Sequence, residues 1–111
     1  MQDFDAVNYG NRLGNNKMLM TLVAKEFLKE SAALVEQLLA HAAAEDWTNV
    51  ARVAHRIKGA SAEVSGLAMS DTAKRIESAA QADDATTVQQ ALEQLQKEYK
   101  ALTAALSSSE F

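Results

Sequence analysis

The chain has 111 residues, 48% of them hydrophobic, with no cysteine, no proline and only four glycines. That length supplies one compact core rather than two, and the lack of cysteine excludes a disulfide framework and a thiolate metal centre. A formal net charge of −4 argues against nucleic acid as a partner, because affinity for a phosphate backbone rests on clustered Lys and Arg. No apolar run approaches the roughly 20 residues that span a bilayer, and Met1-Gln2-Asp3-Phe4-Asp5 lacks the basic start of a signal peptide. No membrane is expected as a partner, and the cytoplasm is the expected setting.

Ala, Leu, Gln, Glu and Lys dominate, residues that lose little freedom in a helix. The composition predicts an all-α protein. A short segment, Phe4 to Leu13, comes first, and Gly14-Asn15-Asn16 ends it with residues that tolerate the left-handed conformation of a turn. From Asn16 to Ala44, Leu19, Leu22, Val23, Phe27, Leu34 and Leu38 recur at helical spacing, and Met20, Leu28, Val35 and Leu39 form a second set. The stripe is wide enough that the short first segment is expected to cover part of it.

Asp46 is placed to cap the next helix, and Ser65-Gly66 closes it, glycine being common just past a helix end. A third stretch from Leu67 to Ala82 puts Leu67, Ala73, Ile76 and Ala80 on one side, and Asp84 caps a last helix from Ala85 to Leu106 carrying Val88, Leu92, Leu95, Tyr99, Leu102 and Leu106. Short connections favour antiparallel neighbours, so the expected fold is an antiparallel up-down-up-down four-helix bundle with a short extra N-terminal helix. One domain occupies residues 1–106, and residues 107–111 are expected to be a disordered tail or a cloning remnant.

On a helical wheel of the Asp46 to Ser65 segment, Val50, Val53, Ala54, Ile57, Ala60, Ser61 and Val64 fall within an arc of roughly 120°, which is the buried face. His55 lies roughly 160° from the centre of that arc and points to solvent. Its neighbours along that outer face, Ala51, Gly59 and Ala62, are all small. A mid-helix glycine costs about 1 kcal/mol relative to Ala, and on an exposed face packing offers nothing in return. Gly59 therefore reads as clearance for something large that must approach the imidazole. Lys58 and Arg52 flank His55 on opposite sides and Arg56 lies further round, a basic patch on an acidic chain that suits an acidic partner. Ser61 falls in the core arc, where its hydroxyl is expected to bond the Ile57 carbonyl. His41 has only the favourable position of a cation near a helix C-terminus, and about 8 Å of axial separation from His55 argues against a shared metal site. Met18 and Met20 are at most part of an apolar docking rim.

The stretch His55-Arg56-Ile57-Lys58-Gly59-Ala60-Ser61 resembles the His-x-x-Lys-Gly-x-Ser signature of histidine-containing phosphotransfer (HPt) domains of multistep phosphorelays. Arg12-Leu13-Gly14, the Asp46-Trp47 helix start and Ile76-Glu77 also sit where members of that family have comparable residues, so the resemblance spans nearly the whole chain. It implies that His55 accepts a phosphoryl group from the aspartyl phosphate of one receiver domain and passes it to another. It further implies that Lys58 stabilises the phosphate, Gly59 admits the receiver and Ser61 is structural. The expected partners are response-regulator receiver domains and a hybrid sensor histidine kinase, with Arg52, Arg56, Ala51 and Ala62 around the docking site. Phosphoryl transfer is mainly positioning and charge stabilisation, and no cluster of carboxylates accompanies His55 in the sequence. The chain is thus expected to be a monomeric carrier without kinase activity or a cofactor of its own, any Mg²⁺ coming with the receiver. The competing reading is a helical interaction or adaptor bundle in which His55 is incidental.

Overall fold

The computed structural model describes residues 1–109 and 111, and among them it contains five helices and no strand. They are α1 (Ala6–Arg12), α2 (Lys17–Ala43), α3 (Trp47–Glu63), α4 (Leu67–Gln81) and α5 (Ala85–Ser108). Helix α2 packs on α3, α3 on α4, α4 on α5 and α5 back on α2, so the four long helices close a ring around one core. Leu38, Ile57, Ile76, Leu95 and Leu102 are among the fully buried side chains at its centre.

The helix starts follow the sequence. Asp5, Asn16, Asp46 and Asp84 each accept a hydrogen bond from a backbone N–H three residues on, satisfying one of the donors that a helix N-terminus leaves free. The three connections among α2, α3, α4 and α5 share one design. Each has three residues, Ala44-Glu45-Asp46, Val64-Ser65-Gly66 and Ala82-Asp83-Asp84, and the middle one is left-handed, at φ 55°, 55° and 54°. The third residue then donates back to the helix just ended, Asp46 to His41, Gly66 to Ser61 and Asp84 to Ala79, at 2.8–2.9 Å.

The structure corrects the expected roles of Ser65 and Gly66. Ser65, not Gly66, takes the left-handed conformation, while Gly66 has an ordinary φ of −83° and opens α4. Its lack of a side chain serves packing, since a Cβ there would stand 2.5 Å from a methyl of fully buried Leu102. Gly66→Ala is accordingly expected to destabilise the fold by about 1–3 kcal/mol, as overpacking does in a filled core. Urea unfolding measures this, and an unchanged midpoint would mean that Leu102 yields freely.

Two further expectations are revised. Leu19 and Leu22 are 41% and 58% exposed, so before Ala24 only Met20 and Val23 of α2 pack, partly buried, against the core. With 27 residues, α2 is about 40 Å long against about 25 Å for α3, and its first turns overhang the bundle. Helix α1 covers only one side of that overhang, where the buried Tyr9 hydroxyl donates to the Met20 carbonyl at 2.5 Å. The tail expected at 107–111 is also shorter. Ser107 and Ser108 continue α5, Ser109 Oγ donates to the Ala105 carbonyl at 2.6 Å, and the Phe111 ring lies 5.4 Å from Tyr9 and 6.5 Å from Phe4. Glu110, also part of that tail, lies outside the described residues.

The capping acids give the fold a defined acid sensitivity. The Asn49 side-chain amide and backbone N–H hold the Asp46 carboxyl below its ordinary value of 3.8, with His41 and Arg52 adding to the effect. The Thr87 hydroxyl and N–H do the same for Asp84. A depressed native value means that the unfolded chain binds protons first. The stabilisation is therefore present above pH 3.8 and is lost as pH falls through the native values. Replacing Asp46 and Asp84 together by Asn, which caps without titrating, is expected to narrow the gap between thermal midpoints at neutral pH and at about pH 3. A gap as wide as that of the unmodified chain would place the acid sensitivity elsewhere.

Candidate functional site

Helix α3 buries Val50, Val53, Ala54, Ile57 and Ser61 and turns His55 outward, its side chain 62% exposed. The Ser61 hydroxyl is fully buried and donates to the Ile57 carbonyl one turn back, which places it away from any incoming group. Ala60, in the same arc of the wheel, is only partly buried against the core. Gly59 is exposed, and a Cβ built on it would meet nothing within 4 Å. No packing inside the chain requires glycine at that position.

Around His55 the structure separates two flanks. On one side, Arg52, Arg56 and Ala51 line an open groove of about 670 Å³ between α3 and α4, together with Trp47, Glu77 and Gln81. Arg52 donates through Nε to the Asn49 side chain at 3.1 Å, and both arginines are exposed and make no direct ion pair among the described residues. On the other side lies Lys58, whose carbonyl accepts from the Ser70 hydroxyl of α4 at 3.0 Å. Ala62 is exposed towards the end of α3.

Folding also brings an acidic side chain from a second helix to the ring. Glu77, on α4, places Oε2 2.8 Å from His55 Nδ1 and Oε1 3.2 Å from Lys58 Nζ, with its own side chain only 17% exposed. A carboxylate therefore stands against the ring, with a second, that of Asp83, in the lining of the groove, and Lys58 is paired in the free protein rather than waiting for an anion. Nothing in the spacing of the chain signals this contact, because the partners lie 22 and 19 residues apart on different helices. A second cluster sits at the end of α3, where Arg12 Nη1 donates to the carbonyls of Ala62 and of Glu63, the latter at 3.2 Å. Nearby, Val7, Met18, Leu19 and Leu22 leave an exposed apolar surface on α1 and the overhang of α2.

The site is thus an exposed histidine mounted on a helix of the bundle, with open space beside it and cations on both flanks. The family model for the Hpt domain matches residues 23–105, well over half of the chain, and the protein belongs to this family, whose domains carry out phosphotransfer in phosphorelays. Helix α1 and the first turns of α2 lie before the matched range. No curated protein and no solved structure matches the chain. No helix among the described residues is long and apolar enough to cross a membrane.

Proposed function

We propose that His55 is the phosphoryl acceptor, taking the group from an aspartyl phosphate on one receiver domain and passing it to the aspartate of another. The observation that carries this reading is the combination of a 62% exposed imidazole with the empty space where a Gly59 side chain would stand. In the forward step a ring nitrogen forms a bond to phosphorus while the bond from phosphorus to the donor carboxylate oxygen breaks, and the carboxylate leaves with that electron pair. The reverse of the same step loads the next receiver. The chain contributes position and charge, which is most of what a loose phosphoryl transition state needs.

Arg52 and Arg56 meet the acidic surface of a receiver, Ala51, Gly59 and Ala62 let its backbone come close, and Met18, Leu19 and Leu22 offer an apolar rim beyond them. The antiparallel course of the long helices, favoured by their three-residue connections, keeps this surface rigid. Mg²⁺ comes with the receiver, and the chain has no kinase activity of its own. Incubating the full chain with receivers phosphorylated from their aspartates tests the reading. Acid-labile, alkali-stable label should appear on the chain within seconds to minutes, and its absence across the receivers of the source organism would reduce the protein to an adaptor bundle.

A further inference from the structure

Asp46, Asn49, Arg52 and His55 follow one another at intervals of three along α3, a spacing at which helical side chains are neighbours. The first three are joined. Arg52 Nε donates to Asn49 Oδ1 at 3.1 Å, and Asn49 Nδ2 donates in turn to Asp46 Oδ2 at 2.6 Å. The far end of this row is anchored to the backbone, because the Asp46 N–H donates to the His41 carbonyl at 2.9 Å and Asp46 Oδ1 accepts from the Asn49 N–H at 3.3 Å. Arg52 and Arg56 both line the groove beside His55, but Arg56 has no such tether among the described residues.

An amide is the side chain that fits between the two charges. The Asp46 carboxylate only accepts and the Arg52 guanidinium only donates, whereas Asn offers one group of each kind and is turned by its neighbours to face each correctly. Direct pairing with Asp46 would set a carboxylate against the guanidinium and cancel its charge at the groove. With the amide between them, Nε alone is occupied, and the two Nη groups at the tip keep their four N–H donors in one plane. An exposed arginine otherwise loses much rotamer freedom when it binds, and here part of that loss is already made in the free chain.

We infer that Asn49 is a positioning residue: by linking Arg52 to Asp46 it holds the guanidinium at the groove with its Nη edge open, as a preset site for a carboxylate of the receiver that docks at His55. The role rests on the reading of His55 as acceptor, whereas the tether is a property of the free chain. Asn49 acts on docking through Arg52 and touches neither the ring nor the phosphoryl group. Its effect therefore falls on association and not on the transfer step.

Two measurements on the full chain test this. In the free protein, NMR of the arginine Nε–H groups should show slower exchange with water at Arg52 than at Arg56. Asn49→Ala keeps the backbone N–H that Asp46 caps, so the fold should be intact by circular dichroism, while exchange at Arg52 quickens about three- to tenfold, the worth of one hydrogen bond, and Arg56 stays as it was. In transfer assays the same variant should need about three- to tenfold more receiver for half-maximal rate, with the rate at saturating receiver within about twofold of the original. Adding Asn49→Ala to Arg52→Ala should cost nothing further, since the two residues act as one unit. Equal exchange at Arg52 and Arg56 in the unmodified protein, or additive losses in the double variant, would overturn the assignment. If receivers fail to label even the unmodified chain, the carrier reading falls, and the exchange rates still decide whether Asn49 holds Arg52.

Discussion

Replacing His55 by Gln is expected to reduce labelling by phosphorylated receivers to background while leaving the thermal midpoint almost unchanged. The first half follows from the chemistry, since an amide cannot replace the ring nitrogen as nucleophile at phosphorus. The second follows from the surroundings: the side chain is 62% exposed, and substitutions at such sites usually move stability by no more than about 0.5 kcal/mol. Gln can also keep a hydrogen bond to Glu77. The remaining histidine offers no substitute. His41 lies in the last turn of α2, its Nδ1 3.8 Å from the Asp46 carboxylate, with neither a glycine gap nor flanking cations. Label that persisted in His55→Gln would mean that another residue carries the phosphoryl group.

Gly59→Gln is expected to move stability and transfer in opposite directions. Glycine in a helix interior is unfavourable by about 0.5–1 kcal/mol, and nothing within 4 Å would obstruct a new Cβ, so the variant should unfold at slightly higher urea. The same side chain would project from the position one turn beyond His55, into the space an incoming receiver must enter, and transfer should slow by about tenfold or more, a loss near 1.4 kcal/mol in the transition state. A variant that gained stability and transferred at the original rate would remove Gly59 from the docking surface. Loss of both would point instead to a packing role that the open space around Gly59 does not suggest.

What the sequence revealed was whatever depends on residues close together in the chain. The caps at Asp46 and Asp84, the buried arc from Val50 to Val64 and the outward turn of His55 all follow from helical spacing and local hydrogen bonding. The readings that changed depended on relations between helices. Leu19 and Leu22 keep the period of a buried stripe, yet α3 is too short to meet them. Gly66 looks like a helix terminator, but the position that needs a left-handed backbone is Ser65, and glycine is required next to it by Leu102 on α5. Glu77 was visible as a residue and invisible as a contact, because its meaning depends on how α4 is rotated against α3.

The strap across the end of α3 has a bearing on affinity. Arg12 occupies the carbonyls of Ala62 and Glu63, the Asp5 N–H donates to the Ser65 carbonyl at 3.0 Å, and the Ser65 hydroxyl donates to the Asn8 side chain at 2.6 Å. Helix ends ordinarily fray because their last carbonyls have no partner. Here the final turn of the histidine helix is tied down by a segment that precedes the core of the domain. A partner docking beside Ala62 meets a surface already in its bound shape, so little of the binding energy goes into ordering it. Such a surface can bind through a small contact area, because each contact made there counts almost in full.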